Sequence, residues 1–76
     1  MLDYMQATII IDFKKDGEIK VENKIFNDIR SFNKSFNQIN NINCRKEVWI
    51  DEAYISFSFK SEKSYNKALK VLYPTY

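Results

Sequence analysis

The sequence predicts an α+β fold: a four-stranded antiparallel or mixed sheet with two helices on one face, in the order ββαββα. Three observations predict it. Residues 18–22 and 53–59 alternate apolar and polar side chains at the two-residue period of a strand, and each follows an apolar stretch, 8–13 or 47–50, across a polar turn. Ile25, Ile29, Phe32, Phe36 and Ile39 recur at the spacings of one helical face, with Phe26 widening the stripe. Tyr65, Ala68, Leu69 and Leu72, with Val71 beside them, repeat that pattern near the C-terminus.

The first strand is Thr8-Ile9-Ile10-Ile11-Asp12-Phe13, rich in β-branched residues. Ile9, Ile11 and Phe13 share one side; Thr8, Ile10 and Asp12 share the other. Glu18 to Glu22 forms the second strand, with Ile19 and Val21 on one side. The turn between them sets the register. A two-residue Asp16-Gly17 turn pairs Phe13 with Lys20 and splits the apolar faces. A three-residue Lys15-Asp16-Gly17 loop pairs Phe13 with Ile19 and Ile11 with Val21. It places Gly17, the only glycine, where a left-handed residue is required. The three-residue loop is therefore expected. Asn23 is the expected N-cap of a first helix beginning at Lys24 and fraying near Asn40.

In the second hairpin an Asp51-Glu52 turn pairs Ile50 with Ala53 and Val48 with Ile55 on the buried face, and Trp49 with Tyr54 on the other. A longer loop is the alternative, because Asp-Glu is not a favoured pair for that turn. Ser61 caps the second helix, Glu62 suits its first turn and Pro74 stops it. Both hairpins and both helices present one apolar face, so a two-layer sandwich buries all of them. The hairpin-helix-hairpin portion resembles a β-grasp arrangement with a helix added. If residues 18–22 only extend the first strand, the remainder resembles a ferredoxin-like chain.

The chain has 76 residues, which predicts one domain spanning 1–76. At 45% hydrophobic and 29% charged residues it is expected to be compact and soluble rather than disordered. No histidine is present, which excludes His-based general bases, nucleophile–histidine pairs and most catalytic zinc sites. A single cysteine, Cys44, forms no internal disulfide and suits a reducing, cytoplasmic setting. It is expected to be a small, partly buried residue at the start of a strand. No apolar run approaches the roughly 20 residues of a membrane helix, and no basic-then-apolar leader opens the chain. Membrane association is not expected. Calcium-loop, phosphate-cradle and cofactor motifs are missing, and the carboxylates are scattered. No metal, no cofactor and no enzymatic activity are expected. Twelve basic against ten acidic residues, net charge +2, is a small excess for a dedicated nucleic-acid binder.

The outward sheet face is expected to carry Thr8, Ile10, Asp12, Lys20, Glu47, Trp49, Tyr54, Ser56 and Ser58. Ile10, Trp49 and Tyr54 are its large apolar members. Aromatic anchors on an otherwise polar face suit a macromolecular partner. They are equally the form of a cross-strand pair that steadies a hairpin. Ile10, Trp49, Tyr54, Arg45 and Lys20 are the expected partner-binding residues. The lysines at 63, 67 and 70 share helical spacing and read as a solvated face.

The run Ala53-Tyr54-Ile55-Ser56-Phe57-Ser58-Phe59 and the helix after it resemble the third strand and second helix of an RNA-recognition domain. That resemblance implies bases stacked on alternate aromatics of the strand. The family's glycine and leading basic residue are replaced here by Glu52 and Ala53, and Phe57 and Phe59 have the parity of the core. The leading expectation is thus a small protein–protein interaction module. Analogy in size and character with phage and mobile-element inhibitors, anti-CRISPR proteins among them, suggests action by occluding a partner's surface. Strand edges offer a further route, through a partner strand or a homodimer. The alternative is a single-stranded nucleic-acid binder with Trp49 and Tyr54 as stacking platforms.

Overall fold

The computed structural model describes residues 6–75. Tyr76 and the first five residues, where no leader is expected, lie outside that range. The elements are β1 (Ala7–Lys15), β2 (Glu18–Phe26), α1 (Ile29–Asn40), β3 (Lys46–Ile50), β4 (Tyr54–Phe59) and α2 (Glu62–Leu72). They form one mixed sheet in the order β2-β1-β4-β3, with the order ββαββα as expected. β1 and β4 lie parallel at the centre, and each pairs antiparallel with its hairpin partner outside it. β2 is a full nine-residue strand, so the arrangement is hairpin, helix, hairpin, with α2 added.

The centre of the sheet goes to the most apolar strands. Ile9, Ile11 and Phe13 of β1 and Phe57 and Phe59 of β4 point toward the helices and are buried. α1 contributes Ile39, with Phe32 and Phe36 packed beside it, and α2 contributes Tyr65, Ala68 and Leu72. Rings interlock across the layers. Phe36 lies 5.8 Å from Phe57, and Phe13 lies 6.3 Å from Tyr65, centroid to centroid.

The first turn is not the expected three-residue loop. Lys15 pairs with Glu18 and Phe13 with Lys20, so Asp16 and Gly17 alone reverse the chain. Both are left-handed, with φ of 50° and 84°. Positive φ at both central residues defines the type I′ turn, whose twist matches that of paired strands, and Asp-Gly is one of its preferred sequences. Turn chemistry therefore overrides the matching of apolar faces. Lys20, Glu22 and Lys24 turn toward the helix side, while Ile19, Val21 and Ile25 turn away.

Charged residues on the helix side of β2 are tolerable because this strand is an edge. Their aliphatic stems cover the core and their heads reach solvent or partners. Lys20 pairs with Glu62 in the first turn of α2. The Lys24 ammonium donates to the Leu72 carbonyl at 3.0 Å and lies over the rings of Phe26 and Tyr73. A cation at the C-terminal end of α2 is favourably placed against the helix dipole.

The first helix begins later than expected. Asn23 and Lys24 belong to β2, which runs on to Phe26 because it pairs along the whole of β1. Asp28 is the cap: its carboxylate accepts from the N–H groups of Arg30 and Ser31 and from the Ser31 hydroxyl. Phe26 is buried edge-on to Phe32 at 5.7 Å. Around the second turn, Trp49 pairs with Ser56 and Ile50 with Ile55. The chain reverses over Glu52 and Ala53, and the Asp51 N–H donates to the Tyr54 carbonyl at 2.8 Å. The register thus moves by two residues, which keeps the parity of every side chain, but Val48 and Ile50, expected to be buried, are exposed because neither helix reaches β3. Ser61 caps α2 as expected, accepting from the Ser64 N–H.

Two outcomes test this account. Gly17→Ala, with open space around the position, loses about 1–2 kcal/mol through its left-handed backbone, while Asp16→Asn raises the melting temperature. The Ser31 hydroxyl and then the Arg30 N–H hold the Asp28 carboxyl below its ordinary pKa. Its folded pKa lies below its unfolded one, so its contribution is present above the unfolded value and is lost as pH falls through the folded value. Asp28→Ala therefore lowers the melting temperature at neutral pH, and the gap to the parent closes in acid.

Candidate protein-binding face of the sheet

Both helices pack on the same side of the sheet, and among the described residues no strand or helix covers the other side. The paired registers lay out this open face row by row. One row runs Ile25, Thr8, Tyr54; the next runs Asn23, Ile10, Ser56, Trp49; the third runs Val21, Asp12, Ser58, Glu47. Ile10, on a central strand, is therefore flanked diagonally by Val21, Ile25 and Tyr54, with Trp49 beyond Ser56. Diagonal neighbours are within reach of large side chains. Val21, Ile25 and Trp49 are 53%, 56% and 64% exposed, and Ile10 and Tyr54 are half-buried. Ile19, 62% exposed, adds an apolar group at the turn end of β2, and the rest of the face is polar. The Ser58 hydroxyl donates to Asp12 at 3.1 Å, and Lys60 lies 3.5 Å from Glu47.

Three of the five expected binding residues thus gather on one face. Ile10 and Tyr54 neighbour each other, and Trp49 stands at the margin, opposite Ser56 rather than Tyr54. Arg45 is exposed just before β3, its carbonyl accepting from the Lys60 N–H. Lys20 does not belong to this face. The tight first turn places it on the helix side, paired with Glu62, which raises the Lys20 pKa and lowers that of Glu62 through their hydrogen bond. Val21 and Ile25 are the members that sequence reasoning missed. The Asp16-Gly17 dipeptide carried the signal for Val21, since it favours the turn that turns this residue outward.

Phe57 and Phe59 are buried in the core, 0% and 3% exposed, so they offer no stacking surface on this face. Lys63, Lys67 and Lys70 lie on α2, in the opposite layer, and beside Asn66 they flank a shallow surface depression. Between β2 and α2 runs an open groove of about 480 Å³, lined by Ile19, Val21, Tyr65 and Leu69 among others. Cys44 is partly buried against the core. Among the described residues no three carboxylate or cysteine groups come together to hold a metal, and no helix is long and apolar enough to cross a membrane.

Exposure separates residues that hold the fold from residues that could meet a partner. Phe57→Ala is expected to cost about 3–5 kcal/mol in urea unfolding, while Trp49→Ala stays within about 1 kcal/mol of the parent. Comparison of the chain with protein-family models, with curated proteins and with solved structures finds no match.

Proposed function

We propose that the chain is a non-enzymatic protein-binding module whose partner docks on the open sheet face around Ile10 and is thereby occluded. One observation carries the reading: Val21, Ile25 and Tyr54 surround Ile10, with Trp49 at the margin, on a face that no described element covers. Contiguous exposed apolar groups rimmed by polar ones mark interaction sites, and Tyr and Trp are common anchors at such sites. The polar rim, Asp12, Ser58, Glu47 and Lys60, supplies hydrogen-bonding and charged groups of both signs.

The rim also argues against single-stranded nucleic acid as the ligand. A stacking platform needs cations around its aromatics to neutralise phosphate. Here the lysines of the face, Lys14 and Lys60, are offset by Asp12 and Glu47, and the lysine row of α2 lies in the other layer.

The test is a capture experiment from the native host with the parent and with Val21→Glu and Ile25→Glu. Both positions are more than half exposed and lie far from β3. Loss of a captured protein by about tenfold or more, with unchanged circular dichroism, supports the reading. Undiminished capture by both variants overturns it. A salt-sensitive quench of Trp49 fluorescence by single-stranded DNA would transfer the lead to nucleic acid.

A further inference from the structure

We infer that β3 pairs edge to edge with β3 of a second copy of this chain, antiparallel about a twofold axis at Val48. This concerns the strand edge and does not rest on the open-face reading. The two edges of the sheet differ. β2 carries Lys20, Glu22 and Lys24 on its helix side, and the Tyr73 hydroxyl already donates to its Asn23 carbonyl. Charges and covering groups of this kind guard an edge. β3 carries a single lysine on its helix side, Lys46, and that ammonium is tied to the Ile42 carbonyl at 2.9 Å. Neither helix packs on it, and Val48, Trp49 and Ile50 are 42%, 64% and 68% exposed.

The backbone of β3 is ready for a partner strand. The Arg45 carbonyl and the Asp51 N–H bond toward β4. Bonding direction alternates along an antiparallel strand, so Lys46, Val48 and Ile50 turn their N–H and C=O groups to the free edge. A twofold at Val48 brings all of these residues into bonded pairs, Val48 with Val48 and Lys46 with Ile50 of the second copy.

The charges select the same register. It sets Arg45 opposite Asp51 of the second copy, twice by symmetry, and Glu47 opposite Trp49. Moving the axis to Lys46 or Glu47 stacks each on its own copy, and moving it to Trp49 sets Glu47 against Asp51. Like charges directly opposite are destabilising. An axis at Ile50 drops Lys46 from the pairing. A perpendicular twofold also keeps the helices of both copies on one side, where none overhangs β3 to obstruct the join. The product is an eight-stranded sheet with one continuous open face, and the Val48 side chains meet beneath it.

Sedimentation equilibrium of the full chain, from micromolar to millimolar concentration, is expected to show a monomer–dimer equilibrium. Val48→Pro removes the outward N–H at the axis without touching the bonds to β4, and Pro is tolerated on an edge. It is expected to weaken the dimer by about tenfold or more with unchanged circular dichroism. Arg45→Asp and Asp51→Arg are each expected to weaken self-association, and an equimolar mixture of the two to restore it as a heterodimer. A chain that stays monomeric throughout overturns the proposal. So does a dimer indifferent to Val48→Pro and to the charge exchange but broken by Val21→Glu, which would place the contact on the open face.

Discussion

The Asp16-Gly17 turn is the constraint on which the surface of this protein depends. Two left-handed residues in succession close the first hairpin with no slack, so the pairing of β2 follows from the turn alone. A side-chain period of two means that one residue more or less in the turn exchanges the faces of the whole strand. With this turn, three β-branched residues of β2 go to the open face and the charged residues at alternate positions go to the helix side. The fold accepts this because β2 is an edge strand, where long charged side chains can lie over the core and still reach Glu62 or the end of α2.

The parallel pairing of β1 with β4 organises the rest. These strands hold the largest fully buried side chains of the sheet, Ile9, Ile11 and Phe57, and the helical layer is centred on them. Two short helices cannot roof four strands evenly. α1 and α2 both reach β1 and β2, α2 also reaches β4, and β3 receives neither. Val48 and Ile50 have the parity of the core but lie beyond its margin. Their exposure comes from where the helices end, not from their place in the alternation.

The open face and the β3 edge thus share an origin. One is the face opposite the helices, made apolar by the register of β2. The other is the edge the helices do not reach. Charge is distributed to match: Asp12 and Glu47 sit with Lys14 and Lys60 on the sheet face, while the lysine row of α2 lies in the other layer. The aromatics of the open face are consequently surrounded by groups of both signs, a setting better suited to a protein surface than to a phosphate backbone.

Local chemistry made much of this legible. The helical spacing of Phe32, Phe36 and Ile39, the Ser61 cap, the burial of Phe57 and Phe59 and the outward parity of Ile10, Trp49 and Tyr54 all follow from periodicity and capping. These are properties of neighbouring residues and survive a shift of register by two, as the second hairpin shows. What periodicity could not decide was a competition between levels. Apolar matching of Ile19 and Val21 with β1 argued for one turn and the conformational preference of Asp-Gly for another, and the structure resolves it in favour of the backbone. That choice moved Lys20 off the open face and brought Val21 and Ile25 onto it. Likewise Asn23 was the expected cap, and the full-length pairing of β1 with β2 drew it into the strand and left the capping to Asp28. Strand order and the uncovered edge of β3 were decided only in the tertiary structure, because they depend on which strands two helices can cover, and no local run of residues encodes that.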